Sequence, residues 1–319
     1  MPQCRKAYVE AGSRIHLGFH SLPGARREWA GIGVYVDYSL TTVRAMPSET
    51  TRVTPESLQP LVEKALLANG LSGVSIEVLS HAPRHEGLGS TTQLVMASLA
   101  GAYTVTHGRP PSMHWLHQAA RRAGRGRYGW VGTLLFTHGG LLACTGEPRV
   151  LYHAGLPEDW RVVLVRPRLP RGLSEDAEPR IMESLPPAGE RLLARVQRGL
   201  YHMLLGVSRG DVDLFSWGVL AVQNATGEYF SRAQGGVYRA DLRAIVDEAY
   251  RDGIVLGQSS WGPTLYAFTT VDRAESDAKT LRMIARLRGV EASVEVVRPR
   301  NMPAIIACEG GETYNLGVG

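Results

Sequence analysis

A glycine-rich turn between an apolar strand and a long apolar helix constrains this chain more than any other stretch. Residues 83–93 read Pro-Arg-His-Glu-Gly-Leu-Gly-Ser-Thr-Thr-Gln. Before them, residues 74–79 alternate Val, Ile and Val with polar neighbours, the period of a strand. After them, residues 94–105 are apolar on most sides of a helix, which predicts burial. Gly87 and Gly89 allow backbone angles closed to other residues and let a ligand approach the main chain. Ser90 suits an N-cap. The unpaired N–H groups of the first helical turn then face the bend, and phosphate is the usual guest there. His85 and Glu86 precede the turn and Gln93 follows it, so polar side chains converge on it. No Gly-Lys-Ser/Thr follows, so this is not a Walker loop, and no third glycine completes a dinucleotide fingerprint. By itself the turn reads equally well as a tight strand-to-helix connection, and the rest of the chain decides.

The 319 residues suffice for one large or two ordinary domains. With 44% hydrophobic and 20% charged residues the chain is expected to be globular. The net charge of +5 rests on arginine, since Lys6, Lys64 and Lys279 are the only lysines. Arginine grips phosphate and carboxylate with a planar fork, so the balance fits a small anionic substrate. It is too weak for nucleic acid, and no basic-aromatic strip supports that partner. Cys4, Cys144 and Cys308 lie far apart and form no zinc spacing; an odd count predicts free thiols in a reducing compartment. No signal peptide and no membrane-spanning run is visible, so a cytoplasmic location is expected.

Along the chain, residues 7–19 read as a strand in which Arg14 and His16 share one face and Ile15 and Leu17 the other. A second strand runs over 31–43. Helices follow at 56–69 and 112–123. Strands at 133–137 and 141–144 are expected to form a hairpin around His138-Gly-Gly, and 147–159 to link two halves. The second half alternates a strand (161–166), helices (187–206, 212–228, 241–252), a turn-and-strand, a helix (273–288) and a strand (292–297). That order fits a two-layer α+β sandwich. Residues 166–173 form a basic loop that suits an anion contact.

Two further stretches carry chemistry. Residues 121–132 hold four arginines, Arg121, Arg122, Arg125 and Arg127, among four glycines. A solvated helix end explains the charges but not the interleaved glycines, so a second anion loop is the preferred reading. Residues 257–268, Gly-Gln-Ser-Ser-Trp-Gly-Pro-Thr-Leu-Tyr-Ala-Phe, form a polar glycine turn that feeds a strand.

In this order the stretches resemble the GHMP superfamily of small-molecule kinases, whose second motif, Pro-x-x-x-Gly-Leu-Gly-Ser-Ser, is matched from Pro83 to Ser90. The likeness to one branch is closer. Ser13-Arg-Ile-His-Leu-Gly18, His85-x-Gly-Leu-Gly-Ser90 with Thr92-Gln93, Gly124-Arg-Gly-Arg127 and Gly257-Gln-Ser-Ser-Trp-Gly-Pro-Thr264 resemble the β-ribofuranosylaminobenzene 5′-phosphate synthases. The resemblance spans about residues 13–268 and implies an α+β, GHMP-kinase-like fold. It places a ribosomal-S5-like domain at 1–155 and a ferredoxin-like α/β sandwich at 156–319. It also implies a reaction of tetrahydromethanopterin biosynthesis: phosphoribosyl pyrophosphate and 4-aminobenzoate or 4-hydroxybenzoate give a C-riboside, carbon dioxide and pyrophosphate. An archaeal or methylotroph context and a homodimer go with it. Two departures stand out: Thr91 replaces a glycine, and Tyr128-Gly-Trp-Val-Gly132 replaces Ser-Gly-Ile-Gly, which bears on the aromatic substrate.

The roles expected under this resemblance are specific. Gly87, Leu88, Gly89, Ser90, Thr91, Thr92 and Gln93 hold pyrophosphate or the 5′-phosphate, and Arg125 and Arg127 neutralise the other phosphate. Arg14 binds the benzoate carboxylate or a phosphate, and His16 or His85 assists by hydrogen bonding or proton delivery. Gln258, Ser259 and Ser260 close the pocket, while Trp261 either stacks on the aromatic ring or anchors its loop. No cofactor signature is present; Mg2+ is compatible with a pyrophosphate, though no carboxylate cluster demands it. Alternatives are a GHMP-type kinase and a non-catalytic binder of phosphate ligands. Against the kinase, residues 129–133 lack the carboxylate that such enzymes use as a base.

Overall fold

A computed structural model describes residues 4–23, 28–173, 177–310 and 313–316. Two long strands, β1 (Ala7–Ser21) and β2 (Ala30–Pro47), form an antiparallel ribbon on which everything else is hung. β2 is long enough to serve two partners: its C-terminal part pairs with β4 (Val74–Ser80) and its N-terminal part with β5 (Leu141–Cys144). β3 (Arg52–Thr54) lies beyond β4. Helices α1 (Gln59–Leu67), α2 (Ser90–His107) and α3 (Met113–Arg122) enclose a core with Val9, Val43 and Ile76 of the sheet. α2 is buried on nearly every side from Leu94 to Ala102, as its composition requires.

The second half begins at β7 (Trp160–Pro167), the middle of an antiparallel sheet that includes β10 (Ala292–Val297), β9 (Leu265–Thr270) and β8 (Gly257–Gln258). One face packs Val163, Val165 and Leu265 against α8 (Arg243–Arg251) and α9 (Ala274–Leu287). The other face meets Ile15, Leu17 and Ile32 of the first sheet, with Met203 and Phe215 of the pair α6 (Glu190–Arg209) and α7 (Val212–Gln234). Those two helices touch through glycine: a Cβ on Gly199 would stand 2.7 Å from Val222 Cγ2. The mixed α/β architecture is the one expected.

Several expectations need correction. Residues 131–138 are a helix, α4 (Val131–His138), not a hairpin strand. A short apolar run is ambiguous in period; here Val131, Leu134, Leu135 and Phe136 are all buried, and the Thr133 hydroxyl donates back to the Trp130 carbonyl at 3.0 Å. The presumed linker contains β6 (Val150–Ala154), which pairs with β5. α7 runs on to Gln234, beyond the expected end at 228, and a short helix, α5 (Ala177–Ser184), follows the basic loop.

The chain end also behaves differently from its place in sequence. β11 (Ile305–Cys308) and β12 (Thr313–Asn315) return to the first sheet, β11 pairing with β1 in the register Ala7 to Cys308. That register sets Cys4 beside Cys308, with Cα atoms 5.6 Å apart, and the two form a disulfide. Cysteines counted by spacing gave free thiols; the return of β11 brings together a pair 304 residues apart. Cys144 alone remains a thiol, buried, with burial pushing its pKa up.

Candidate active site

A cavity of about 350 Å3 opens where β1, α4, α5, α7 and the turn after β8 meet. This is the size of a small-molecule site. One part is cationic. Arg14 lies between the starts of two helices: a Cβ on Gly89, the residue before α2, would be 3.1 Å from Arg14 Nε, and one on Gly132, in the first turn of α4, would be 3.8 Å from it. At Gly89, with φ 68°, a side chain would be both strained and tight against the guanidinium; at Gly132 the contact would be an ordinary one. The first α4 backbone bond runs from Leu134 N–H to the Trp130 carbonyl at 2.9 Å, so the N–H groups of residues 131–133 are not spent on the helix ladder. Val131, Gly132 and, from α2, Thr92 line the same cavity.

Arg14 is partly buried, with its Nε out of contact with solvent, and its protein contacts are modest. Its backbone N–H donates to the Leu88 carbonyl at 2.9 Å and one guanidinium nitrogen to the Gly87 carbonyl at 3.2 Å, while Nε is without a partner among the described residues. Burial pulls its pKa down to about 10, partly offset by the negative charge of Glu178. It stays protonated at neutral pH. A partly buried cation beside two helix starts, with donor capacity to spare, is built for an anion.

His16 is on the cavity wall two residues along the same strand face. Burial, then the positive charge of Arg14, lowers its pKa to about 3. Gly18 N–H donates to its Nδ1 at 3.2 Å, so the ring proton is on Nε2. His16 is a neutral hydrogen-bond donor here. The proton-delivery role expected from sequence needs an imidazolium that this environment disfavours.

The cavity also has an aromatic wall. Phe19, Tyr128, Phe230 and Trp261 line it, with Phe230 and Trp261 edge to face at 5.1 Å and Phe19 and Phe230 at 6.0 Å. Gln258 is a framework residue as well as a wall: its backbone N–H donates to Gln223 Oε1 at 2.9 Å, and its Nε2 donates to Gln234 Oε1 at 3.0 Å and the Ser260 carbonyl at 2.9 Å. Ser260 lines the cavity in a left-handed backbone conformation, φ 54°. Such strain on a non-glycine residue gathers at functional loops.

The structure divides the residues singled out from sequence. Arg14, His16, Thr92, Arg125, Arg127, Gln258, Ser260 and Trp261 surround the cavity. Gly87, Leu88, Gly89, Ser90, Thr91, Gln93, His85 and Ser259 stand behind the wall. Gly89 is the N-cap of α2, and the Ser90 hydroxyl donates to the Pro83 carbonyl at 2.9 Å, so Ser90 is not the cap. Leu88 is fully buried. Gln93 accepts from Tyr35 Oη at 2.9 Å and donates to the Gly132 carbonyl at 2.9 Å, tying α2 to α4. Thr91 faces Arg84, 3.4 Å from its Nε. The His85 carbonyl accepts from Gly172 N–H at 2.9 Å, and Ser259 bonds to Gly87 and His16.

The arginines also separate. Arg127 pairs with Glu183, which accepts from Tyr128 Oη too. Arg121 lies over the Trp130 ring at 5.1 Å and Arg122 donates to Asn69 Oδ1 at 2.7 Å, both away from the cavity. Arg166 is held by Glu86 and Glu295 rather than presented to a ligand. Trp130 is buried, donates to the Gly146 carbonyl at 3.0 Å and does not line the cavity, so the departure at this position alters the core beneath the loop. Sequence reasoning missed Glu178 on α5, the one carboxylate lining the cavity among the described residues. Its Oε1 accepts from Trp261 Nε1 at 3.0 Å. No local motif marks it; only the fold brings α5 over the cavity.

Among the described residues no cluster of three or more His, Cys, Asp or Glu could hold a metal ion. The lone Glu178 does not make a cage for Mg2+, which would have to be carried on substrate phosphate oxygens.

Residues 58–140 match the family described as GHMP kinases N terminal domain. Along the whole chain the fold matches homoserine kinase from Cytophaga hutchinsonii, with a TM-score of 0.71 at 14% identity over 95% of this chain and 97% of that one. The chain has the GHMP kinase-like fold and carries that family's N-terminal domain. Curated homologues extend over both halves of this chain. A protein of Archaeoglobus fulgidus named beta-ribofuranosylphenol 5′-phosphate synthase is 28% identical over 311 residues, 91% of this chain and 96% of its own. One of the same name from Methanocaldococcus jannaschii is 24% identical over 306 residues, 82% of this chain and 88% of its own. Among the described residues no helix is long and apolar enough to cross a membrane.

Proposed function

We propose that this protein is a phosphoribosyltransferase. It joins C1′ of phosphoribosyl pyrophosphate to the carboxyl-bearing ring carbon of a para-substituted benzoate, releasing pyrophosphate and carbon dioxide. The observation that carries the reading is the composition of one cavity: a partly buried, under-partnered Arg14 between two helix starts, together with an aromatic wall. The curated homologues support it over nearly the full chain, and the phenol in their name favours 4-hydroxybenzoate over 4-aminobenzoate.

Arg14, Thr92 and the first turn of α4 take the departing pyrophosphate, where negative charge grows as the C1′–O bond breaks. Arg125 and the glycine loop around it take the 5′-phosphate. Nε2–H of His16 donates a hydrogen bond to a leaving-group oxygen and keeps its proton. The ring lies against Phe230 and Trp261 with its reacting carbon toward the sugar.

The test is to mix the purified protein with phosphoribosyl pyrophosphate and carboxyl-labelled 4-hydroxybenzoate, and to count carbon dioxide and pyrophosphate from one tube. Equal release of both is the expected result. Release of neither, with 4-aminobenzoate also inert, overturns the proposal. ATP consumption with a hydroxy acid in its place would move the chain to the kinases.

A further inference from the structure

Glu178 has a place in the cavity that the preceding roles do not use. It stands by the aromatic wall, fixed by Trp261 Nε1 on one oxygen, and its charge reaches both Arg14 and Tyr128. Its other oxygen takes part in no hydrogen bond among the described residues. A cavity lined by both a cation and an oriented carboxylate offers a small ring two distinct polar contacts. In the synthase reading, on which this inference rests, the carboxyl-bearing carbon must face the sugar and the pyrophosphate that Arg14 holds. The para position lies directly across the ring, where Glu178 would meet it.

We propose that Glu178 accepts the proton of the para-hydroxyl of the aromatic substrate, and so both selects a benzoate with a para donor and activates its ring. As the phenol proton moves to Glu178, electron density passes through the ring to the opposite carbon. That carbon forms the new bond to C1′, and the C1′–O bond breaks with its electron pair leaving on pyrophosphate. The ring is then a dienone bearing the carboxylate and the ribosyl group on one carbon. The bond to the carboxylate breaks next; its electron pair restores the aromatic ring, carbon dioxide departs, and the phenol oxygen takes its proton back from Glu178. No proton or electron is left over. A benzoate without a para donor would leave the second carboxylate oxygen without a partner from the substrate, a penalty that supplies specificity as well as rate.

The decisive variant is Glu178→Gln, which keeps an oxygen for Trp261 Nε1 and removes the charge and the proton acceptor. Binding of 4-hydroxybenzoate and of 4-fluorobenzoate, which has no donor, is measured calorimetrically beside turnover. The wild type is expected to bind the hydroxy compound about tenfold tighter, the size of one charge-assisted hydrogen bond. Glu178→Gln is expected to bind both alike, to keep its affinity for phosphoribosyl pyrophosphate, and to lose about 10²–10⁴-fold in kcat, the usual share of a general base. Unchanged discrimination and kcat in a folded Glu178→Gln would overturn the assignment and leave the synthase reading standing. A wild type that releases no carbon dioxide from either para-substituted benzoate would sink both.

Discussion

The Ser259 hydroxyl donates to the Gly87 carbonyl at 2.6 Å across 172 residues of chain. The same oxygen accepts the His16 backbone N–H at 3.0 Å, so one fully buried hydroxyl fastens the glycine turn and β1 to the second half. Ser259→Ala leaves a buried N–H without a partner, at a cost of about 1–3 kcal/mol. Urea unfolding should show that loss, and kcat should fall with it because Arg14 bonds to the same Gly87 carbonyl. Unaltered stability would mean the hydroxyl is replaced by water.

Arg14→Met should separate binding from stability. It removes a partly buried cation of similar length whose desolvation is poorly repaid by protein partners, so the melting temperature should hold or rise. Affinity for pyrophosphate should fall by about 100-fold, the loss of one or two charge-assisted hydrogen bonds. Pyrophosphate titration of both proteins checks this; equal affinities would move the anion away from the start of α2 and α4.

His16 sets a pH dependence whose direction follows from its burial. Its pKa in the folded protein is about 3 against an ordinary 6.5, so in that window the unfolded chain binds more protons than the folded one. Stability from this group is complete above the ordinary value and is lost as pH falls from it toward the folded value. His117, pushed by burial down to about 4, acts in the same sense. Urea midpoints should therefore drop as pH is lowered from about 7 to about 4, and His16→Gln should flatten that slope. Activity should show no limb that His16→Gln removes near its ordinary pKa.

The disulfide offers a simpler check. Cys308→Ser removes a link closing almost the whole chain, and such links contribute about 2–5 kcal/mol. The variant should unfold at lower urea, and the wild type should approach it after reduction. Identical midpoints would mean that strand pairing alone holds the end.

Much of the site was legible because it is local. Arg14 and His16 declare their shared face by a spacing of two, and Gly124 to Gly129 announce a loop by interleaved glycine and arginine. The glycine turn at 87–89 was equally visible, but its physical part differs: it shapes the bed of Arg14 instead of facing the cavity. Whether such a turn meets ligand or protein depends on what is packed against it, here Ser259 and Gly172, which donate to the Gly87 and His85 carbonyls. Glu178, the Cys4–Cys308 link and the helical state of 131–138 depend on contacts between distant segments, which no local pattern encodes.

The homecoming of β11 gives the polypeptide an order of assembly. β1 is flanked by β2 on one side and by β11 on the other. During synthesis the first strand must wait, with that second edge open, until residues 305–308 have left the ribosome. Everything from β7 to β10 is made in the interval, so the N-terminal half is completed last although it is translated first.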